Sequence, residues 1–158
     1  MNDARFEDGA DGPLRLVAQD AEGLAVLSAL LQDAVFPITE MSYAAKRRRF
    51  AVLLNRFRWE DRDAAERAKR RYERVQSLLV FEDVLMVQSQ GIDRAAADTV
   101  LSLLELRLVA GEDGAGRIEL VLAGDGTIAL QTEALDVTLR DVSRPYLATS
   151  GQVPRHGN

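Results

Sequence analysis

Met41-Ser42-Tyr43-Ala44-Ala45-Lys46-Arg47-Arg48-Arg49-Phe50-Ala51-Val52-Leu53-Leu54-Asn55-Arg56-Phe57-Arg58-Trp59 is the stretch on which the fold turns. Met41, Tyr43 and Ala45 alternate with Ser42 and Ala44. After four basic residues, Phe50, Val52 and Leu54 alternate with Ala51, Leu53 and Asn55. A period of two marks strands with one buried face. Folding the chain back at Lys46-Arg47-Arg48-Arg49 sets Ala45 opposite Phe50, Tyr43 opposite Val52 and Met41 opposite Leu54. One register then gathers every large apolar side chain on a single face. Past Leu54 the parity flips, because Phe57 and Trp59 lie on the odd side. A bulge near Asn55-Arg56, or a strand buried on both faces, accounts for the flip.

Upstream, Leu14-Arg15-Leu16-Val17-Ala18 alternates like a strand. Asp20 then caps a helix in which Leu24, Leu27, Leu30 and Leu31 recur at steps of three and four. Pro37 ends that region. Downstream, residues 60–74 hold almost no large apolar residue, and their spacing fits a mobile connector or a short exposed helix. Residues 75–81 and 84–89 read as two strands separated by Glu82-Asp83.

In the second half, Leu104, Leu106 and Leu108 oppose Leu122, Leu120 and Ile118. A three-residue Gly124-Asp125-Gly126 loop then matches Leu122 with Ile128, Leu120 with Leu130 and Ile118 with Thr132. A two-residue Asp125-Gly126 turn would mix the faces. Leu135, Val137 and Leu139 fit a bulged fourth strand, and Leu135, Leu139 and Val142 also fit a helix; the β-branched Val137-Thr138 pair favours the strand. The expected fold is α+β: a mainly antiparallel sheet of about eight to ten strands, in two layers or a partly closed barrel, with one N-terminal helix. Residues 1–13 and 146–158 read as flexible tails around a single domain at 14–145.

Composition narrows the chemistry. The chain has 158 residues, 47% apolar and 28% charged, with a net charge of −5, no cysteine and one histidine. The absence of cysteine removes disulfides, thiol nucleophiles and thiolate metal sites. His156 lies in a polar, Gly/Pro-rich end, so imidazole-dependent hydrolysis and proton relays are not expected. No metal or cofactor is expected. The N-terminus is acidic and lacks the apolar run of a secretory signal, and no segment reaches the ~20 apolar residues of a membrane span. A cytoplasmic location is the expectation.

Charge is divided unevenly. Residues 46–74 hold twelve basic and five acidic side chains, a local +7, so the remainder carries −12. Guanidinium groups attract phosphates and carboxylates, and aromatic rings beside them can stack bases. Arg47, Arg48, Arg49, Asn55, Arg56, Arg58 and Trp59 are therefore the candidate ligand-binding residues. The plainer reading is a solvated loop and connector, with Phe57 and Trp59 in the core. Glu40, Asp83, Glu105 and Asp136 are acids within structured segments, but no spacing singles out a catalytic pair. The glycines of Gly111-Glu112-Asp113-Gly114-Ala115-Gly116 and Gly124-Asp125-Gly126 sit in hairpin loops and do not form a phosphate cradle.

The strings Leu14-Arg15-Leu16-Val17-Ala18-Gln19-Asp20-Ala21-Glu22, Leu31-Gln32-Asp33-Ala34-Val35, Arg48-Arg49-Phe50-Ala51-Val52-Leu53-Leu54-Asn55-Arg56-Phe57-Arg58-Trp59-Glu60 and Gln90-Gly91-Ile92-Asp93 resemble a family of small bacterial proteins catalogued as domain of unknown function 2948. The resemblance covers roughly residues 14 to 145. It implies no activity, cofactor or catalytic residue. The function is therefore unknown at this level. Two readings stand: a non-enzymatic binding or assembly module with an anion-binding surface around 46–74, and a small enzyme using carboxylate and arginine chemistry without metal or cysteine. A protein partner or self-association fits the first.

Overall fold

A computed structural model of the chain describes residues 12–93, 95–112, 115–148 and 153. The one long helix among the described residues begins where the sequence places it. The Asp20 carboxylate accepts the Gly23 N–H at 2.7 Å and caps α1, Ala21–Leu30. Leu24, Leu27 and Leu30 are buried on the face turned to the sheet, and Leu31 follows them into the core.

The strands are β1 (Arg15–Ala18), β2 (Val35–Pro37), β3 (Met41–Ala44), β4 (Arg49–Phe57), β5 (Glu73–Phe81), β6 (Val84–Gln90), β7 (Val100–Ala110), β8 (Gly116–Leu122), β9 (Thr127–Thr132), β10 (Val137–Asp141) and β11 (Tyr146–Leu147). They form one sheet in the order β1-β10-β5-β4-β2-β7-β8-β9-β6, with β3 added to β4 and β11 to β5. Every recorded pairing is antiparallel. The short β2 joins the two halves, since Val35 pairs with both Asn55 of β4 and Ser102 of β7. The halves share one core, in which Phe50, Leu79 and Phe81 meet Leu103, Leu120 and Leu130 together with Leu24 and Leu27 of α1. A sheet this long buries its apolar face by curling over itself. Its far end, β6, returns to the β3–β4 turn, where the Val84 N–H donates to the Arg48 carbonyl at 2.8 Å and the Tyr43 hydroxyl donates to the Val84 carbonyl at 2.8 Å. No ladder joins β3 to β6 among the described residues, so the sheet remains unclosed along this seam.

The expected class, α+β with a mainly antiparallel sheet, is the observed one, with two very short strands, β2 and β11, beyond those expected. The faces are as expected, but the pairings are displaced. Tyr43 stands opposite Phe50 and Met41 opposite Val52. The four-residue loop has the expected length but occupies 45–48, because Ala45–Arg47 form a 3-10 turn closed by the left-handed Arg48 at φ 53°. The β8–β9 hairpin is displaced in the same sense: Leu120 pairs with Ile128 and Ile118 with Leu130. Gly124 and Asp125 take φ of 83° and 70°, and the Leu122 N–H donates to the Gly126 carbonyl, so the three-residue loop is 123–125. On β7 the pairs Leu106 with Leu120 and Leu108 with Ile118 hold, but a bulge between Leu103 and Glu105 brings Leu103 opposite Leu122 in place of Leu104.

β4 has no bulge. It runs in continuous register with β5 from Phe50 opposite Phe81 to Phe57 opposite Arg74, and is buried on both faces at its end. The 60–74 connector holds a 3-10 turn, Trp59–Asp61, and a short helix, α2 (Arg62–Arg67), before β5 begins at Glu73. Residues 137–141 are a strand, as their β-branched pair favours, but it lies between β1 and β5, away from β9. Ordered structure continues past 145 through β11 to the buried Ala148. The expected N-terminal tail up to residue 11, the Asp113-Gly114 tip and the terminal residues around His156 lie outside the described residues.

The bulge makes a sharp prediction. Leu103→Ala, emptying a fully buried site, lowers stability by about 2–5 kcal/mol, whereas Leu104→Ala, at a half-buried neighbour, costs less than half of that. Urea denaturation of the two variants checks it.

Candidate functional site

β4 carries arginines at both ends, and the fold uses them in opposite ways. At its start, the 3-10 turn Ala45–Arg47 projects the basic run into solvent. Arg48 reaches Glu133 at 3.1 Å and Arg49 reaches Glu82 at 3.1 Å, both as exposed pairs. Such pairs contribute little stability, but they hold the turn against β5–β6 and the end of β9. Lys46 and Arg47 are exposed and make no ion pair with any described residue.

At the other end, Arg56 follows Phe50, Val52 and Leu54 on the core face and is completely buried. Its guanidinium makes two hydrogen bonds of 2.8 Å to Glu60 and a further one of 3.0 Å to Asp141. Asp141, on β10, also accepts the Ser77 hydroxyl at 2.7 Å and the Leu14 N–H at 2.9 Å. Burial by itself pulls the Arg56 pKa down. The hydrogen bonds and charges of Glu60 and Asp141 together outweigh that and hold it above the ordinary arginine value. Arg58, also buried, pairs with Glu73 and lies 3.7 Å from Glu60. Arg70 grips Asp61 through two bonds of 2.8 and 2.6 Å, which raise its pKa. Three guanidinium groups thus face four carboxylates in one network spanning β4, β5, β10 and the connector.

The candidate residues therefore divide into separate places. β4 is nine residues long, and at ~3.4 Å per residue its two ends stand about 27 Å apart. Arg47, Arg48 and Arg49 share the exposed turn, while Arg56 and Arg58 share the buried network. Asn55 points to the opposite face of β4, where it bonds Arg74 and Tyr146. Burial pushes the Arg74 pKa down. Trp59 is half-buried: its indole N–H donates to the Gln32 carbonyl at 3.0 Å and its ring meets Phe57 edge-on at 4.7 Å. That is the core role the plainer reading expects, with Arg62 over the exposed ring face at 5.9 Å. Of the acids considered, Glu105 lies on the exposed face of β7 beside Arg107, Asp83 takes a left-handed turn conformation at φ 56° between β5 and β6, Asp136 lies next to that turn with its carbonyl accepting the Glu82 N–H at 2.9 Å, and Glu40 is exposed in a 3-10 turn; no hydrogen bond joins the carboxyl groups of any two. These do not converge.

Two of the cavities among the described residues adjoin the candidate residues. One of about 390 Å³ lies along the open seam and is lined by Met41 and Tyr43 of β3, Val87 and Ser89 of β6, and Phe50 and Ile128 beneath. The other, about 290 Å³, is bordered by Arg58, Asp141, Ser143 and Arg144. The seam was not foreseen, although the unequal lengths of β3 and β4 and the uncharged run at 84–90 are its traces in the sequence. Among the described residues no cluster of three or more His, Cys, Asp or Glu is placed to hold a metal, and no helix is long and apolar enough to cross a membrane.

Arg56→Met leaves Asp141 buried without its cation and Glu60 with only the 3.7 Å contact to Arg58, and lowers stability by about 3–5 kcal/mol. Denaturant unfolding beside Arg47→Met, which moves stability by less than ~0.5 kcal/mol, separates the buried arginine from the exposed one.

No curated protein and no solved structure matches the chain. A family model described as protein of unknown function (DUF2948) matches residues 14–156, nearly all of the sequence. The chain therefore belongs to the DUF2948 family of uncharacterised proteins.

Proposed function

We propose that the protein is a non-enzymatic binding or assembly module of the cytoplasm, which acts through protein contacts and takes an acidic partner on its basic turn. One observation carries this reading: Lys46 and Arg47 stand exposed, with no counter-ion among the described residues, on a turn held in place by the Arg48–Glu133 and Arg49–Glu82 pairs. Beside them Arg48 and Arg49 are engaged in exposed pairs and Arg56 and Arg58 in the buried network, so Lys46 and Arg47 carry the unmatched positive charge of this turn. An acidic surface approaching the turn gains attraction without first breaking an internal pair.

A small enzyme using carboxylate and arginine chemistry is favoured by the cavity where Arg58, Asp141, Ser143 and Arg144 meet. Against it, Asp141 already accepts hydrogen bonds from Arg56, Ser77 and Leu14, so its carboxylate oxygens are engaged within the protein.

The test is the double variant Lys46→Glu/Arg47→Glu. A fluorescent polyglutamate peptide binds the native protein at low salt, and the variant binds it about tenfold or more weakly with unchanged melting temperature. An oligoribonucleotide and anionic vesicles serve as parallel probes. Tighter binding to either than to the peptide removes the protein-partner part of the reading, and absence of all binding removes the acidic-partner part.

A further inference from the structure

Both walls of the seam cleft are strand edges. Among the described residues β6 ends the sheet path and pairs with β9 alone, and β3 pairs with β4 alone. The outward backbone N–H and C=O groups of 85–90 have no backbone partner among the described residues. Exposed strand edges are ordinarily blocked by charge, proline, a bulge or a covering loop. β6, Val84-Leu85-Met86-Val87-Gln88-Ser89-Gln90, has neither charge nor proline, and its single irregularity lies at one end, between Val84 and Met86. Leu85 and Met86 are 48% and 49% exposed on this strand. The floor of the cleft is core: Phe50 and Ile128 are buried beneath it. Its volume of about 390 Å³ lies in the ~300–1,000 Å³ range of binding pockets.

The two walls meet at one end. There the Val84 N–H holds the Arg48 carbonyl and the Tyr43 hydroxyl holds the Val84 carbonyl, and the 3-10 turn with Lys46 and Arg47 packs against β6. The cleft thus combines unpaired backbone edges, an apolar floor and a positively charged end. A compact apolar molecule would use only the floor. An extended chain uses all three, with backbone bonds to the edge, alternate side chains on the floor and carboxylates at the basic end.

We infer that this cleft accepts an extended segment of a partner protein, which adds as a strand along β6, lays apolar side chains over Phe50 and Ile128, and places acidic residues beside Lys46 and Arg47. This deepens the reading of the basic turn as the site of an acidic partner and rests on it. β6 runs away from the basic turn, and antiparallel pairing is the rule throughout the sheet. A segment antiparallel to β6 therefore brings its C-terminal end to Lys46 and Arg47.

The experiment uses three fluorescent peptides: alternating valine and threonine ending in two aspartates, the same with the aspartates at the N-terminus, and a serine–threonine version with C-terminal aspartates. Anisotropy titration of the full chain is expected to rank the first at least tenfold tighter than either control. Amide exchange at 85–90 slows when the first peptide is bound. Ser89→Trp, which fills the cleft from its β6 wall, weakens the first peptide at least tenfold. Ala97, between β6 and β7, also lines the cleft, and Ala97→Trp fills it from outside the strands and does the same should Ser89→Trp fail to fold. Equal affinity for all three peptides, affinity unaltered by both tryptophan variants, or self-association through β6 in place of peptide binding overturns the inference. Loss of binding in Lys46→Glu/Arg47→Glu with none in the tryptophan variants leaves the basic-turn reading standing and removes the strand-addition site.

Discussion

A guanidinium group with no contact with solvent sits where β4, β5, β10 and the connector meet. Burying a charge is costly unless oppositely charged groups satisfy it. Arg56 therefore requires Glu60 four residues ahead and Asp141 eighty-five residues away to occupy single positions. Asp141 in turn holds Ser77 of β5 and the Leu14 N–H at the entry to β1. The network need not exceed an apolar core in stability. Its consequence is positional: a slip of β10 along β5 would strand a buried charge, so the register in this half of the sheet has a strong penalty against alternatives.

The opposite end of β4 follows different physics. Its arginines lie in high dielectric and form pairs that contribute little energy, which leaves Lys46 and Arg47 available to a partner. One strand thus spends part of its positive charge on its own architecture and presents the rest. The local +7 of residues 46–74 overstates the charge a partner meets, because Glu133, Glu82 and Asp141 from outside the segment match Arg48, Arg49 and Arg56. The seam beside the turn belongs to the same arrangement: the curled sheet brings β6 back to the β3–β4 turn, two hydrogen bonds pin it there, and the remainder stays open.

Much of the sheet was legible because side-chain direction in a strand alternates locally. In both hairpins around Lys46-Arg47-Arg48 and Gly124-Asp125 the faces and loop lengths were correct, while the loops began one residue earlier. Moving a loop by one residue changes the register by two, which keeps every apolar side chain on the core face and so leaves the hydrophobic pattern unable to distinguish the alternatives. Turn conformation decided between them, through the left-handed Arg48 in one case and the positive φ of Gly124 and Asp125 in the other. The candidate site was less legible. Arg56 lies two residues beyond Leu54, on the same parity as the core, so its burial had a signal; a charged residue at that position is nonetheless read as exposed until its carboxylates are in place.

The sequence by itself determined the capped helix, the mainly antiparallel class and which side of each principal strand faces inward, since these depend on spacing within a few residues. It also determined that cysteine chemistry is absent. The tertiary structure alone decided which arginines are buried and which are offered outward, because that choice depends on carboxylates distant in the chain. It also decided that the sheet leaves a seam between β3 and β6, because closure depends on where the last strand of a long, curling sheet arrives relative to the first turn of another hairpin.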